Sequence, residues 1–345
     1  MHKPRQNRFK TVKVEDSVGK IIMHDITCII PGEFKGPVFK KGHIVSGEDI
    51  GKLKDLGKDN LYIFDISQEE YHEDEAAEIF KAFAGENVSA AGPAEGKVVF
   101  SSEVDGLVKI DREKIDAINN IRDIVFTTIH SGIPVFSKDK IAGIRIVPLV
   151  VRKEYVDKAV LYADDVLLSV SPFREKKVGL AVTGNEVASG RIKDGFRPRI
   201  EKKISAYGST VTEFAIIEDD PEKLKKKIFD MAEKGCELII LTGGMSVDPD
   251  DTTKTAIASA GVDVVSYGVP VLPGNMFMAG YLGDIPVLGV PACALFFEVT
   301  VLDLFLPYVF SDTRITENDM KGRGYGGYCR HCDICIFPRC GFGKC

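Results

Sequence analysis

Two apolar runs in the second half of the chain each end in a threonine-glycine turn that is followed by an acidic residue. The first run is residues 178–186 (VGLAVTGNE), and the second is residues 238–251 (LIILTGGMSVDPDD). In an open α/β sheet, ligands bind at the carboxyl ends of the strands, where glycines let backbone amides approach an anionic group. Either run alone could be an ordinary turn, because glycine supplies a positive φ wherever one is needed. Together they predict two walls of one binding site.

Beyond residue 178 the sequence alternates between strand and helix patterns. Proline and acidic residues at 220–222 indicate the start of a helix, and Gly235 indicates its end. Helices are also predicted over 198–207, 251–260 and from Leu295 onward, with strands over 210–217, 237–241, 262–265 and 287–290. Alternation of this kind predicts an α/β fold with a doubly wound, mostly parallel sheet.

The chain divides into four regions. Short extended runs punctuated by glycine and proline predict a small β-rich domain over residues 1–66, and an α+β region is expected over 67–174. Glu69–Phe83, which opens the second region, has the apolar spacing of an amphipathic helix. The α/β domain is expected over 175–310, and residues 311–345 form a cysteine-rich tail.

Composition excludes two classes of partner. The formal net charge of -6 and the scattered lysines argue against nucleic acid. The longest apolar stretch, Ala294–Phe310, contains Glu298, Asp303 and Pro307, so it is expected to be a buried core helix rather than a membrane span. The basic first ten residues lead into no apolar segment, which predicts a protein that is not exported and lies in the cytoplasm.

Three motifs, in a fixed order along the chain, resemble those of a known protein family. They are Thr183-Gly184-Asn185-Glu186, Thr242-Gly243-Gly244-Met245-Ser246 with Asp251-Thr252, and Pro273-Gly274-Asn275-Met276. With them, the stretch from Val178 to about Phe310 resembles the molybdopterin-binding domain of molybdopterin molybdotransferases, molybdopterin adenylyltransferases and CinA-like proteins. The resemblance implies a role in molybdenum cofactor biosynthesis, with molybdopterin or its nucleotide form as the ligand and Mg²⁺ as an accompanying ion.

The resemblance also implies residue roles. Glu186 and Asp251 would be the catalytic acids, although Asp251 could equally cap its helix by accepting from free amides. The pterin, its phosphate above all, would be bound by the residues of the three turns: Thr183, Gly184, Asn185, Thr242, Gly243, Gly244, Met245, Ser246, Asp248, Pro273, Gly274 and Asn275.

At several positions the sequence departs from the family pattern, which indicates a divergent member of that family. The turn after the late strand reads Pro291-Ala292-Cys293, where a Pro-Gly-Asn-Pro-like sequence would be expected. Asn185 stands where many relatives have an acid, which lowers the local charge available to a divalent metal. Cys293 lies beside the expected pocket, although a small buried hydrophobic role is the simpler interpretation.

The tail carries five of the eight cysteines: Cys329, Cys332, Cys335, Cys340 and Cys345. Spacings of two residues let neighbouring thiolates reach one ion or cluster, so a zinc ion or a four-iron cluster is predicted. A disulfide staple and a reduced, disordered tail are the alternatives, and the glycines between 322 and 327 would suit a flexible lead-in. Without an export signal, disulfides explain the pattern less well than metal.

Two functional hypotheses follow. The first is a transferase that acts on molybdopterin, by molybdate insertion or adenylyl transfer. Such chemistry depends on positioning and electrostatic stabilisation, so it needs no Ser-His-Asp arrangement. The second is a non-catalytic cofactor carrier, sensor or maturation factor that docks on a molybdoenzyme through the cysteine-rich tail. A homo-oligomer is expected in either case.

Overall fold

The computed structural model describes residues 10–30, 34–63, 69–163, 167–245 and 253–344. Its first region contains paired short strands around one helix, and Leu53 of that helix is buried against Val14 and Leu61. Strand β1 pairs with β4, and β2 pairs with β3, both antiparallel. The elements are β1 (Thr11–Lys13), β2 (Ile26–Ile30), β3 (Phe34–Phe39), α1 (Asp49–Asp55) and β4 (Asn60–Tyr62).

The second region packs helices against small antiparallel sheets. Four strands form a sheet in the order β6-β7-β11-β9, three form a sheet in the order β10-β8-β13, and β5 pairs with β12. Its elements are β5 (Glu70–His72), α2 (Glu73–Ile79), β6 (Val88–Ala94), β7 (Lys97–Ser102), β8 (Gly106–Ile110), α3 (Arg112–Asn119), β9 (Ile124–Thr128), β10 (Pro134–Val135), β11 (Lys140–Ile146), β12 (Val150–Arg152), α4 (Lys153–Val160) and β13 (Leu168–Pro172). The stacked rings of Phe80, Phe83 and Phe126 lie in its core.

The third region is built on a six-stranded sheet. Its elements are β14 (Lys177–Thr183), α5 (Asn185–Ala188), α6 (Phe196–Ser205), β15 (Thr210–Ile217), α7 (Pro221–Glu233), β16 (Leu238–Thr242), α8 (Thr253–Ser259), β17 (Asp263–Tyr267), β18 (Met278–Leu282), β19 (Ile285–Val290), α9 (Val301–Phe310) and α10 (Glu317–Lys321). The strand order is β15-β14-β16-β19-β18-β17. The first four strands are parallel, and β18 runs antiparallel to both of its neighbours.

Apolar clusters cover both faces of this sheet. One cluster joins the strands to α6 and α9, and the other joins them to α7 and α8. Strand β14 is buried at every position after Lys177, as expected for a central strand covered on two sides. The predicted doubly wound, mostly parallel α/β fold is confirmed, and no described helix is long and apolar enough to cross a membrane.

Two predicted helices are wrong in extent. The segment Glu69–Phe83 contains β5, then α2, then a 3-10 turn. The helix begins only after His72, whose ring accepts a hydrogen bond from the Asp74 amide in a capping box. The helix expected from Leu295 likewise begins at Val301, where Thr300 and Asp303 form a capping box. Residues 296–300, between Leu295 and the observed start of the helix, are not helical. The capping box makes the helix begin after this segment.

The described part of the tail, residues 311–344, is docked on the α/β region. Ile315, Met320 and Phe342 belong to the same apolar cluster as α9. The buried Arg323 side chain donates to the carbonyl of Gly343 and to the Tyr308 hydroxyl. The glycine-rich stretch is therefore packed here, not the flexible lead-in that its composition suggests.

A buried carboxyl between the first two regions makes stability depend on pH. Burial, with a contribution from the Asp74 charge, raises the pKa of Glu73 from 4.5 to about 7. The folded protein therefore binds a proton here that the unfolded chain has already lost. The stabilisation is complete below pH 4.5 and is lost as the pH rises through 7.

Glu73→Gln is expected to remove this dependence. Its unfolding free energy should exceed that of the wild type by on the order of 2 kcal/mol above pH 7 and should be similar at acid pH. Urea unfolding at acid pH and above pH 7 measures this free energy. Glu78→Gln, on the exposed side of the same helix, is the matched control and should change little. If Glu73→Gln and Glu78→Gln had the same unfolding free energy at each pH, the buried Glu73 carboxyl would be ruled out as the cause of the pH dependence.

Candidate functional site at the carboxyl edge of the sheet

The ends of three parallel strands meet at one edge of the sheet. Val182 is in register with Thr242, and Thr242 is in register with Val290. Strand β17 runs in the same direction as β19, since both are antiparallel to β18. The loop of residues 268–277 therefore opens at this same edge. The described parts of all three motifs lie on the edge where open α/β sheets bind ligands.

Hydrogen bonds between threonine side chains join the first two turns. The Thr183 hydroxyl lies 3.2 Å from the carbonyl of Thr242 and 3.2 Å from the Thr253 hydroxyl. Thr253, the first residue of α8, donates in turn to the carbonyl of Gly243 at 3.0 Å. Thr183 and Thr253 are both buried, so the contacts are shielded from water. They fix the two strand ends and the start of α8 relative to one another.

The two glycines of the second turn cannot be replaced without moving the backbone. Gly243 has a φ of +84°, and a Cβ there would lie 2.2 Å from the carbonyl oxygen of Thr183. Gly244 has a φ of +54°, and its Cβ would lie 2.6 Å from the Thr253 hydroxyl. Only glycine satisfies both the left-handed conformation and the close approach. The turn brings its backbone to the strand ends without a side chain in the way.

The first turn is held from the neighbouring strand. The backbone nitrogen of Asn185 donates to the Asp219 carboxylate at 3.1 Å. In return, the backbone nitrogen of Asp219 donates to the side-chain oxygen of Asn185 at 3.2 Å. Gly184, with a φ of +143°, has only ordinary contacts around the position of a Cβ. Glu186 is exposed beside it. Asn185 thus positions the turn, and Glu186 is free to face a ligand.

The remaining described site residues are placed by packing. The Met245 side chain is buried against Gly289, where a Cβ would lie 2.4 Å from its methyl carbon. Its carbonyl accepts a hydrogen bond from Tyr267 at 2.8 Å. A Cβ on Gly274 would lie 2.4 Å from Val301, so the turn of residues 273–275 packs on the start of α9. Met245 and Gly274 therefore shape the edge by packing.

Three predicted site residues lie outside the described residues: Ser246, Asp248 and Asp251. Sequence reasoning missed Asp219, Thr253 and Tyr267. Asp219 could have been found, because it follows β15 just as Gly184 follows β14 at the same edge. Burial raises the pKa of the Cys293 thiol in the altered late turn, which favours its protonated form.

Elsewhere in the described chain, one group of three ligand atoms lies close enough to hold a single metal ion: His72, Glu73 and Asp74. The His72 ring is already engaged, because Nδ1 accepts from the Asp74 amide and Nε2 donates to the carbonyl of Met23. This is a helix cap between two regions rather than a metal site. The described tail cysteines do not converge to that degree, and Cys345 lies outside the described residues.

Comparison with known families agrees with this geometry. Residues 179–310 match the model of a family described as "Probable molybdopterin binding domain". The matched segment spans the six-stranded sheet with all three turns. This segment of the chain is therefore similar to the molybdopterin-binding domain. Residues 11–65 match a second model, a domain of unknown function designated DUF8806.

Individual relatives match unequal shares of this chain. A CinA-like protein of Mycobacterium tuberculosis is 32% identical over 82 residues, which are 24% of this chain and 19% of that protein. The chain thus spans about a fifth of the length of the CinA-like relatives that it matches. A protein of Methanocaldococcus jannaschii named "Putative molybdopterin biosynthesis protein" is 24% identical over 310 residues, covering 87% of this chain and 74% of its own length.

A solved structure of the molybdopterin biosynthesis enzyme MoaB from Thermus thermophilus aligns with 39% of this chain and 91% of its own length. The sequence identity is 21%, and the TM-score is 0.33. A likeness of this size does not assign a function.

Proposed function

We propose that the carboxyl edge of the sheet binds molybdopterin or its nucleotide form, and that the protein is a transferase of molybdenum cofactor biosynthesis. The observation that carries this proposal is the pair of glycines at 243–244, pressed against Thr183 and Thr253 at the end of a parallel strand. Successive backbone amides in such a turn form a concave site for an anion. The phosphate of the pterin supplies that anion.

The residues at this edge fit such a ligand. The Thr242 hydroxyl is fully buried and has no hydrogen-bond partner among the described residues. A buried hydroxyl without a partner loses free energy that a bound acceptor restores. It lies at the strand end that leads directly into the two glycines. An unpartnered polar group therefore lies directly before the two glycines of the turn.

The chain's contribution to the reaction is binding and orientation. In this proposal Thr183, Gly184, Gly243, Gly244 and the residues that follow them hold the phosphate end. The exposed Glu186, together with Asp251, supplies carboxylate ligands for Mg²⁺. The bound pterin supplies the dithiolene sulfurs that take up molybdenum. Fixed positioning of the reactants then lowers the barrier without a covalent protein intermediate.

A cofactor carrier is the second candidate. Its support is the altered turn at Pro291-Ala292-Cys293 together with the docked tail, two features that the transferase does not require. Incubation with molybdopterin, ATP, Mg²⁺ and molybdate separates the two candidates. A transferase converts the pterin, whereas a carrier binds it and leaves the nucleotide and molybdate unchanged. Docking on a molybdoenzyme and self-association stay predictions.

Thr253→Val tests the binding site directly. The substitution keeps the shape but removes the hydroxyl that bridges Thr183 and Gly243, so molybdopterin affinity should fall about tenfold as the turn loses its position. Equilibrium dialysis with fluorescence detection of the pterin measures the loss. Thr212→Val is the matched control, since Thr212 contacts the carbonyl of Val178 near the opposite end of the sheet. Unchanged affinity in Thr253→Val, or equal losses in both variants, would contradict the proposed site.

A further inference from the structure

A cavity lies between the tail and the loop that follows β19. Its volume is about 430 Å³. Four cysteines line it together: Cys329, Cys332, Cys335 and Cys340. Residues 296–299, which were expected to be helical, also line it. Cysteines that are spread over twelve residues of sequence thus line one cavity.

Backbone pairing holds this cavity in place. Tyr328 forms an isolated parallel bridge with Leu272, and the Cys329 amide donates to the carbonyl of Leu272 at 2.8 Å. A Cβ on Gly327 would lie 2.4 Å from the carbonyl of Pro270, so the tail follows the α/β domain at van der Waals distance. The His331 ring lies 4.9 Å from the ring of Phe297 across the cavity. The cysteines are therefore presented by a fixed segment.

The walls of the cavity are apolar, and its thiols differ in depth. Phenylalanines at 296, 297, 337 and 342 contribute to the lining. Cys329 and Cys340 are half-buried and pack on the core of the α/β domain, whereas Cys332 and Cys335 are exposed at the rim. All four are free thiols in the structure. The arrangement combines a set of four sulfur ligands with a mostly apolar lining.

The spacing of the sulfurs distinguishes between metal centres. Four thiolates on one zinc ion lie about 3.8 Å apart, as follows from a tetrahedral site with Zn–S bonds of about 2.3 Å. Among the described residues, no three of these sulfurs lie within 4.8 Å of one another. A cubane cluster binds each thiolate through a different iron and holds the sulfurs further apart. Sulfurs of which no three converge to that distance suit the larger cluster better than a single zinc ion.

Sequence spacing and charge agree with this assignment. The pattern C-x2-C-x2-C-x4-C differs from the bacterial ferredoxin run by one residue before the fourth cysteine. A [4Fe–4S]²⁺ cluster with four thiolates is a dianion, because the four thiols lose their protons on binding. In residues 329–344, Arg330, Arg339 and Lys344 outnumber Asp333, and Glu298 adds one negative charge to the cavity lining. The local charge is complementary to that of the cluster.

We propose that Cys329, Cys332, Cys335 and Cys340 bind a [4Fe–4S] cluster in this cavity. The site stands apart from the proposed pterin function and needs no pterin to form. Its position is nevertheless close in the chain to the pterin edge, since the wall of residues 296–299 follows the turn at Pro291 and Leu272 precedes Pro273. The cavity is therefore lined or bordered by segments that are continuous with two of the loops at that edge.

Metal and sulfide analysis of the full chain tests this proposal. Protein purified anaerobically, and then incubated with ferrous iron, ferric iron and sulfide, should hold about four iron and four acid-labile sulfide per chain. Reduction should give the electron paramagnetic resonance signal of a cubane. One zinc per chain with no sulfide, or no bound metal after this incubation, would overturn the assignment.

Cysteine variants test the ligands. Cys335→Ser and Cys340→Ser should each lose most of the iron and sulfide, because each removes one of four ligands. Cys28→Ser and Cys345→Ser are the matched controls and should keep the wild-type content, since Cys28 lies in the N-terminal region and Cys345 lies outside the proposed set. Circular dichroism verifies that the α/β domain is folded in each variant. Loss of iron in Cys345→Ser together with retention in Cys340→Ser would overturn the four-cysteine set.

Discussion

Gly243→Ala is expected to lower the free energy of unfolding by about 3 kcal/mol and to weaken molybdopterin binding at least tenfold. The left-handed φ of +84° accounts for part of the loss. The larger part comes from a Cβ placed 2.2 Å from the carbonyl oxygen of Thr183, which would force two strand ends apart. Urea unfolding measures the stability, and equilibrium dialysis measures the affinity.

Gly235→Ala separates these two contributions. Gly235 has a similar φ of +79° and lies between α7 and β16, but no atom lies within 4 Å of the position of its Cβ. It should cost about 1 kcal/mol through backbone conformation alone and should bind molybdopterin as the wild type does. If Gly243→Ala were no worse than Gly235→Ala in stability and binding, the close approach at the strand ends would have no consequence.

Lys203→Met is expected to give the second large effect. The Lys203 ammonium lies 2.6 and 2.7 Å from the two carboxylate oxygens of Asp303 and 2.6 Å from the carbonyl of Glu298. The two charged side chains are only 10% and 15% exposed, and they join α6 to the start of α9. Removing the cation leaves a poorly solvated carboxylate, which should cost about 3 kcal/mol.

Two variants show whether this loss comes from the unpaired carboxylate. Lys202→Met changes the neighbouring, exposed position of the same helix and should leave the unfolding free energy within about 0.5 kcal/mol of the wild type. Lys203→Met combined with Asp303→Asn should recover part of the loss, because the asparagine can still cap α9 without a buried charge. Urea unfolding of the three variants provides the comparison. Equal stability of Lys203→Met and the wild type would exclude a structural role for the pair.

Local sequence signals were sufficient where the chain follows simple rules. The helix α7 begins at Pro221 behind an Asp220 cap and ends before Gly235, as its proline, acid and glycine predicted. The parallel sheet followed from the alternation of apolar runs and helices, and the joining of the two turns followed from their places at strand ends. Each of these features depends on short-range chemistry or on a general rule of sheet topology.

Long-range contacts explain what the sequence could not reveal. The strand Glu70–His72 forms because it pairs with residues 150–152, so its apolar spacing indicated a helix that tertiary pairing overrides. Phe296, Phe297 and Val299 extend the apolar stretch of α9, but they precede a capping box and line the tail cavity. The contact between Asn185 and Asp219 joins residues 34 positions apart. The strand pairing and the cavity lining have no local sequence signal, whereas Asp219 is marked only by its place after β15.

Glycine-selective nuclear magnetic resonance provides the most direct test of the pterin edge. Addition of molybdopterin to protein labelled with ¹⁵N-glycine should shift the amide signals of Gly184, Gly243 and Gly244. The signals of Gly42 and Gly57 in the N-terminal region should stay unchanged, because those residues lie in a separate sheet region. Binding that leaves the signals of Gly243 and Gly244 unshifted, or the absence of any binding, would contradict a molybdopterin site at the carboxyl edge of this sheet.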